Sequence, residues 1–134
     1  MKDITLNIVS SCKSLEENKK GYYIVEMMYK GVVKYLKGEA EHTTSNKLLI
    51  MATIDAVQRL KEPCNITVCT PTYIGIGKIK TKGGAYKESS KTRNKAELDQ
   101  LREKLESGGH LINNVVTDEH KYRLKKYIKF IKSN

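Results

Sequence analysis

The sequence predicts an α/β fold: a five-stranded mixed sheet, three antiparallel strands and then parallel additions, flanked by helices. Three observations lead there. Three β-rich runs come first, with a short turn between the second and third. The rest alternates helical and strand-like runs, giving the order β-β-β-α-β-α-β-α, and strands that alternate with helices join a sheet in parallel. The 134 residues suffice for one core, and no repeat or linker divides them, so residues 1–134 read as a single domain.

Each element has its own signal. Ile4, Leu6 and Ile8 alternate with Thr5 and Asn7, the period of a strand. Residues 13–21 are polar and end in glycine, a loop. Residues 22–29 are dense in Tyr, Ile, Val and Met; Lys30-Gly31 is a turn; residues 32–36 resume the strand pattern, completing a hairpin. Glu39 and Glu41, alternating with Ala40 and His42, continue the third strand. Thr44-Ser45-Asn46 offers helix N-cap candidates. The following run, 48–60, is apolar on nearly every side, which predicts a helix buried between layers. Arg59, Lys61 and Pro63 mark its end. Residues 66–70 form a short strand stopped by Pro71.

Residues 74–90 hold Gly75, Gly77, Gly83 and Gly84 with Lys78, Lys80, Lys82 and Lys87. They read as a flexible basic loop with a short helical start. Residues 94–106 are an amphipathic helix built on Leu98, Leu101 and Leu105 and closed by Ser107-Gly108-Gly109. Residues 111–116 are the last strand. Asp118 caps a final helix with Leu124, Ile128 and Ile131 on one face and Tyr127 beside them. Its other face carries Lys121, Arg123, Lys125, Lys126, Lys129 and Lys132, with no acid after Glu119.

Charge narrows the partner. The formal net charge of +10 suits a polyanion, nucleic acid before an anionic membrane; the plain alternative is solubility. The run 4–9 is too short for the core of a signal peptide, and no stretch approaches the roughly 18 apolar residues that span a bilayer. A cytoplasmic protein is therefore expected, with Cys12, Cys64 and Cys69 as reduced thiols. Those cysteines and the scattered His42, His110 and His120 lack zinc-site spacing, so no metal or other cofactor is expected.

Three segments carry a resemblance. They are Ile-Thr-Leu-Asn-Ile-Val-Ser-Ser-Cys at 4–12, Thr-Thr-Ser-Asn-Lys-Leu-Leu-Ile-Met-Ala-Thr-Ile-Asp-Ala-Val at 43–57 and Ile-Thr-Val-Cys-Thr-Pro-Thr-Tyr at 66–73. In this order they resemble the first strand, central helix and fourth strand of the ribonuclease H family. Ser11-Cys12, Thr44, Asn46, Met51 and Ala52 fit the family's pattern. The basic loop before Asn94, and the helix opened there by Asn-Lys-Ala-Glu-Leu, are similar to its basic protrusion and the asparagine that follows.

The resemblance implies a ribonuclease H-like fold and a two-metal hydrolysis held by carboxylates. Val9, Leu49 and Pro71 stand where three of those acids belong. Apolar side chains give a dication nothing in return for its lost hydration. The expectation is a non-catalytic, inactive homologue without metal. Asp118 or Glu119 lies near the place of the fourth acid, where helix capping is the competing role. Other enzyme signatures are missing. Gly75-Ile-Gly77 lacks the rest of a dinucleotide or phosphate loop, and there is no Gly-x-Ser-x-Gly elbow. Cys12 reads as a structural or substrate-lining thiol ahead of a nucleophile.

What the resemblance leaves is binding of an RNA–DNA hybrid or double-stranded RNA through backbone contacts. It places Ser11, Cys12, Ser45, Asn46 and Tyr73 near the RNA strand, and Thr44 and Asn94 around a DNA-strand phosphate. His42 sits where an arginine is common. Lys82, Lys87, Lys91 and Arg93 supply long-range attraction. Plain capping is the alternative for Thr44, Ser45 and Asn46, and a solvated loop for the lysines. Two other functions remain open: a divergent nuclease with relocated metal ligands, and a scaffold for a protein partner at an exposed sheet edge or by self-association. The last helix either extends the nucleic-acid surface or lies on acidic lipid, and its apolar face is needed by the core, which argues against a membrane.

Overall fold

The structure, a computed structural model, describes residues 1–12, 20–41, 43–76, 78–80, 86–87 and 94–133; for 78–80, 86–87 and 129–133 it describes the backbone. Strand β1 (Lys2–Ser11) is covered on both faces. Ile4, Leu6 and Ile8 enter the main core, while Val9 packs with Ile24, Leu124 and Ile128 on the other side. β2 (Lys20–Tyr29) pairs antiparallel with β1, and β3 (Val32–Glu41) pairs antiparallel with β2. Lys30 and Gly31 join them with φ of 46° and 80°. Two positive φ values are the hairpin geometry that matches strand twist. As expected, β3 continues through Glu39 to Glu41.

Helix α1 (Ser45–Gln58) buries eight of its residues. It lies between the sheet and a second helix, in contact with β1, β2 and β3 below and α2 (Lys95–Gly108) above. That sandwich explains its apolar circumference. α2 contributes Leu98, Leu101 and Leu105 to the same core and ends at Gly109, whose φ of 68° suits a glycine cap.

β4 (Cys64–Thr70) runs parallel to β1, and β7 (Leu111–Val116) runs parallel to β4. Two short strands, β5 (Lys78–Lys80) and β6 (Tyr86–Lys87), extend the outer edge, so the sheet order is β3-β2-β1-β4-β7-β5-β6. The five long strands are the mixed sheet the sequence predicts. The added pair corrects the reading of residues 74–90 as a loop with a helical start. Ile79 between two lysines alternates well enough to pair beside the open edge of β7, and the surrounding glycines hide that pattern.

Helix α3 (Lys121–Ser133) crosses the opposite face, on β1 and β2, with Leu124 and Ile128 inward. Asp118 does not cap it through its side chain as expected. Its main-chain carbonyl accepts from Lys121 N at 3.0 Å, and the Thr117 hydroxyl takes the Glu119 N–H at 3.1 Å. Thr117 thus serves the turn that Asp118 was expected to serve. Among the described residues, no helix is long and apolar enough to cross a membrane.

Candidate functional site

Parallel strands deliver their carboxyl ends to one rim of a sheet, where side chains from several elements meet. Here that rim is formed by the end of β1, the start of α1 and the turn after β4. Ser10 Oγ donates to the Ser45 carbonyl at 3.0 Å, and Cys12 Sγ donates to the Thr43 carbonyl at 3.2 Å. Thr72 Oγ1 donates to Asn46 Oδ1 at 2.7 Å, which ties the β4 turn to the same helix start. Thr44 is the N-cap of α1, with φ −117° and ψ 162°, and its hydroxyl accepts from Lys47 N at 3.2 Å. The capping role expected of Thr44 is real, and its hydroxyl proton remains to donate.

The turn is held from beneath by a fully buried amide. Asn114 Nδ2 donates to the Val68 carbonyl and to Thr70 Oγ1, both at 2.9 Å, and its Oδ1 accepts from Ile74 N at 3.0 Å. Thr70 Oγ1 in turn donates to the Thr72 carbonyl at 2.6 Å. Gly21 on β2 sets the approach of α1. A Cβ there would stand 2.5 Å from Leu48 Cδ1 and 3.0 Å from Thr43 Cγ2, so the glycine lets the helix start close on the β1 end without moving those side chains.

The structure brings Ser11, Cys12, Thr44, Ser45 and Asn46 to one rim, half-buried or exposed. Asn94 belongs to the same end of the molecule. The Lys47 ammonium lies 3.5 Å from the Glu97 carboxylate, joining the first turns of α1 and α2, and Asn94 is the N-cap of α2. Its φ of 60° is one asparagine tolerates, and its amide makes no capping hydrogen bond. Tyr73 is not on the rim; it is 8% exposed and buried. His42, Lys82, Lys91 and Arg93 lie outside the described residues, and Lys87 is described only as backbone in β6.

Val9 is 1% exposed under α3, Leu49 is 2% exposed in the main core, and Pro71 is half-buried in the β4 turn. These three do not fit a divalent ion. Among the described residues, no group of three His, Cys, Asp or Glu side chains could hold a metal.

Sequence reasoning missed the rim's hydroxyl partners Ser10, Thr43 and Thr72, though all stand inside or beside the quoted segments. It also missed Asn114, whose signal was an amide pair inside an otherwise apolar strand. The largest omission is on the α3 face. Glu26, 4% exposed in mid-strand, accepts from Asn7 Nδ2 at 3.0 Å and from the Tyr35 hydroxyl at 2.9 Å. The Arg123 guanidinium grips it with both Nη atoms, Nη2 at 2.8 Å. The guanidinium, with the other two donors, outweighs burial and holds the carboxyl at a pKa of about 2. The hydrogen bond it donates to Glu26 pushes the Tyr35 phenol up to about 12.

No family model matches the chain. A ribonuclease H of Caldicellulosiruptor saccharolyticus is 32% identical over 103 residues, 75% of this chain and 70% of that protein. One from Desulforamulus reducens is 34% identical over 87 residues, 65% of this chain and 53% of its own. The ribonuclease H of Vibrio vulnificus is 48% identical over 50 residues, 37% of this chain and 32% of its own. Among solved structures, LC9-RNase H1 matches with a TM-score of 0.64 over 97% of this chain and 70% of that chain, at 13% identity, a likeness of fold. It is described as a type 1 RNase H with the type 2 active-site motif.

These comparisons correct the expectation of an inactive homologue. The relatives carry the name of an enzyme. Apolar residues at Val9, Leu49 and Pro71 describe those positions without establishing inactivity.

Proposed function

Since the chain belongs to the ribonuclease H family, we propose that it binds an RNA–DNA hybrid along the rim where β1 and β4 end and α1 begins. The observation that supports this most is the makeup of that rim. Ser10, Ser11, Thr44, Ser45 and Thr72 are hydroxyls, and Asn46 and Asn94 are amides, gathered at one end of the sheet. Such groups both donate and accept, which is what a 2′-hydroxyl and a phosphate require. They carry no base-reading pattern, so the reading is of backbone and shape rather than sequence.

Charge supports the same reading. The first turn of α1 holds no acid, so its N-terminus keeps its partial positive charge toward an anion. Lys82, Lys87, Lys91 and Arg93 add attraction over a longer range, and phosphate neutralisation releases counterions.

The test is an anisotropy titration with labelled hybrid, double-stranded RNA and double-stranded DNA. Hybrid is expected to bind tightest. The double variant Asn46→Ala/Asn94→Ala should weaken it by roughly tenfold, the cost of losing about one net hydrogen bond at each site. Thermal unfolding checks that both proteins are folded. A wild-type chain that binds no hybrid at moderate salt overturns the reading, as does a double variant that binds as well as wild type. Run with magnesium and resolved on a denaturing gel, the same samples read strand scission.

A further inference from the structure

The sheet is unequally covered. On the face away from α1, helix α3 lies on β1 and β2, at one side of the sheet. The outer strands β4, β7 and β5 continue beyond it. Along β4, Asn65, Thr67 and Cys69 on this face are half-buried, while Cys64, Ile66, Val68 and Thr70 on the other face are buried. Parallel register sets Asn113 beside Thr67 and Val115 beside Cys69. The outer half of this face therefore has a mixed floor of Asn65, Thr67, Asn113, Cys69 and Val115, with the exposed Leu111 beside Asn65.

The flank of α3 that borders this floor is cationic. Arg123 reaches Glu26, and Tyr127 stacks near Tyr35 at 5.2 Å between ring centroids, so that flank of the helix leans toward β2 and β3. Positions 121 and 125 recur at helical spacing on the opposite flank, and both are lysine. Lys121 is half-buried and Lys125 is exposed. The thirteen residues of α3 include no acid. On the far side of the floor, Lys78 and Lys80 of β5 stand in register with Asn113 and Val115. Of the acids nearby, Asp3 accepts from Asn65 Nδ2 at 3.0 Å, and Glu119 stands at the end beside Cys69.

We infer that this trough is a second nucleic-acid surface, which holds a single strand by its phosphates between the lysine flank of α3 and the outer edge of the sheet. The inference rests on the nucleic-acid reading above but uses none of its residues. Width favours one strand. Neighbouring strands of a sheet lie about 4.8 Å apart, so β4, β7 and β5 span about 10 Å. That is narrower than the roughly 12 Å of a duplex major groove alone. Tyr122, 79% exposed at the start of α3, offers a ring on which a base can stack.

The experiment measures binding of a labelled single-stranded oligonucleotide and of the hybrid duplex to the full chain. The variant is Lys121→Glu/Lys125→Glu. The control, Lys34→Glu/Lys37→Glu, makes the same charge change on exposed residues of β3, at the other edge of the sheet. The expected result is a loss of about tenfold or more in single-strand affinity for the α3 variant. The control should keep single-strand binding within about threefold, and the α3 variant should keep hybrid binding within the same margin. Equal losses in variant and control would mean that net charge, not this trough, attracts the strand, and would overturn the inference. Undiminished single-strand binding by the α3 variant would overturn it too. So would lysine-dependent binding to phosphatidylserine vesicles without strand binding, which assigns the flank to lipid. A chain that binds the strand in this lysine-dependent way but no hybrid would uphold the trough while sinking the rim.

Discussion

Glu26 is the residue whose chemistry departs most from its surroundings. It is a carboxylate in the middle of an apolar run, buried in the sheet, and four contacts from Asn7, Tyr35 and Arg123 make that burial possible. A buried charge is costly unless it is paired and hydrogen-bonded, and here it is both. The folded pKa of about 2 lies below the ordinary value of 4.5. A depressed acid contributes stability that is complete above the unfolded pKa and is lost as pH falls through the folded one. Denaturant unfolding should therefore show stability falling from about pH 4.5 toward 2 by about 3 kcal/mol from this residue. Glu26→Gln should be less stable at neutral pH and should flatten that acid limb. An unchanged limb in the variant would assign the acid sensitivity elsewhere. None of this was legible in the sequence. A glutamate between Val25 and Met27 reads as a polar interruption of a strand, and its partners are 9, 19 and 97 positions away.

At the scale of elements, the period of side chains decided most of what could be read. β7 appears over the residues its apolar run predicts, and α1 begins at Ser45, after the Thr44 cap and three residues before its apolar run. What the pattern could not show was contact between elements. Gly21 read as the end of a loop, whereas it is the place where β2 yields to α1. Gly21→Ala should push Leu48 and Thr43 outward, costing about 1–3 kcal/mol in thermal or denaturant unfolding. It should also weaken hybrid binding, because the same displacement moves the Ser10–Ser45 and Cys12–Thr43 contacts of the rim. The rim was half-legible for a related reason. Ser11, Cys12, Thr44 and Asn46 stood in quotable segments, but Tyr73, in the same kind of segment, is turned into the interior by a turn that Asn114 holds. A buried amide on another strand leaves no local trace in residues 70–74.

For the whole molecule, the charge of +10 has a distribution that the total conceals. α1 carries Lys47 paired with Glu97, and its C-cap Arg59 is paired with Asp55. α3 carries lysines without an acid of its own. A chain-wide count pointed to a polyanion, and the structure shows that α3, one of its cation-rich segments, lies on the face opposite α1 and α2. The overall topology was readable because strand and helix runs alternate in a simple order. The β5–β6 extension was not, since strands of three and two residues are too short to establish a period.

The burial of α1 between the sheet and α2 also has a consequence in time. Its amides are shut off from solvent by neighbours on both sides, so fraying of β3 at one edge or β6 at the other does not expose them. The main-chain protons of Leu48 to Val57 should exchange with deuterium together, at the rate at which the whole chain opens, while those of β3, β5 and β6 exchange sooner through smaller openings. Staggered exchange within α1 would mean that the helix comes apart piecemeal. A common slow rate makes it the clock against which every looser part of the molecule can be timed.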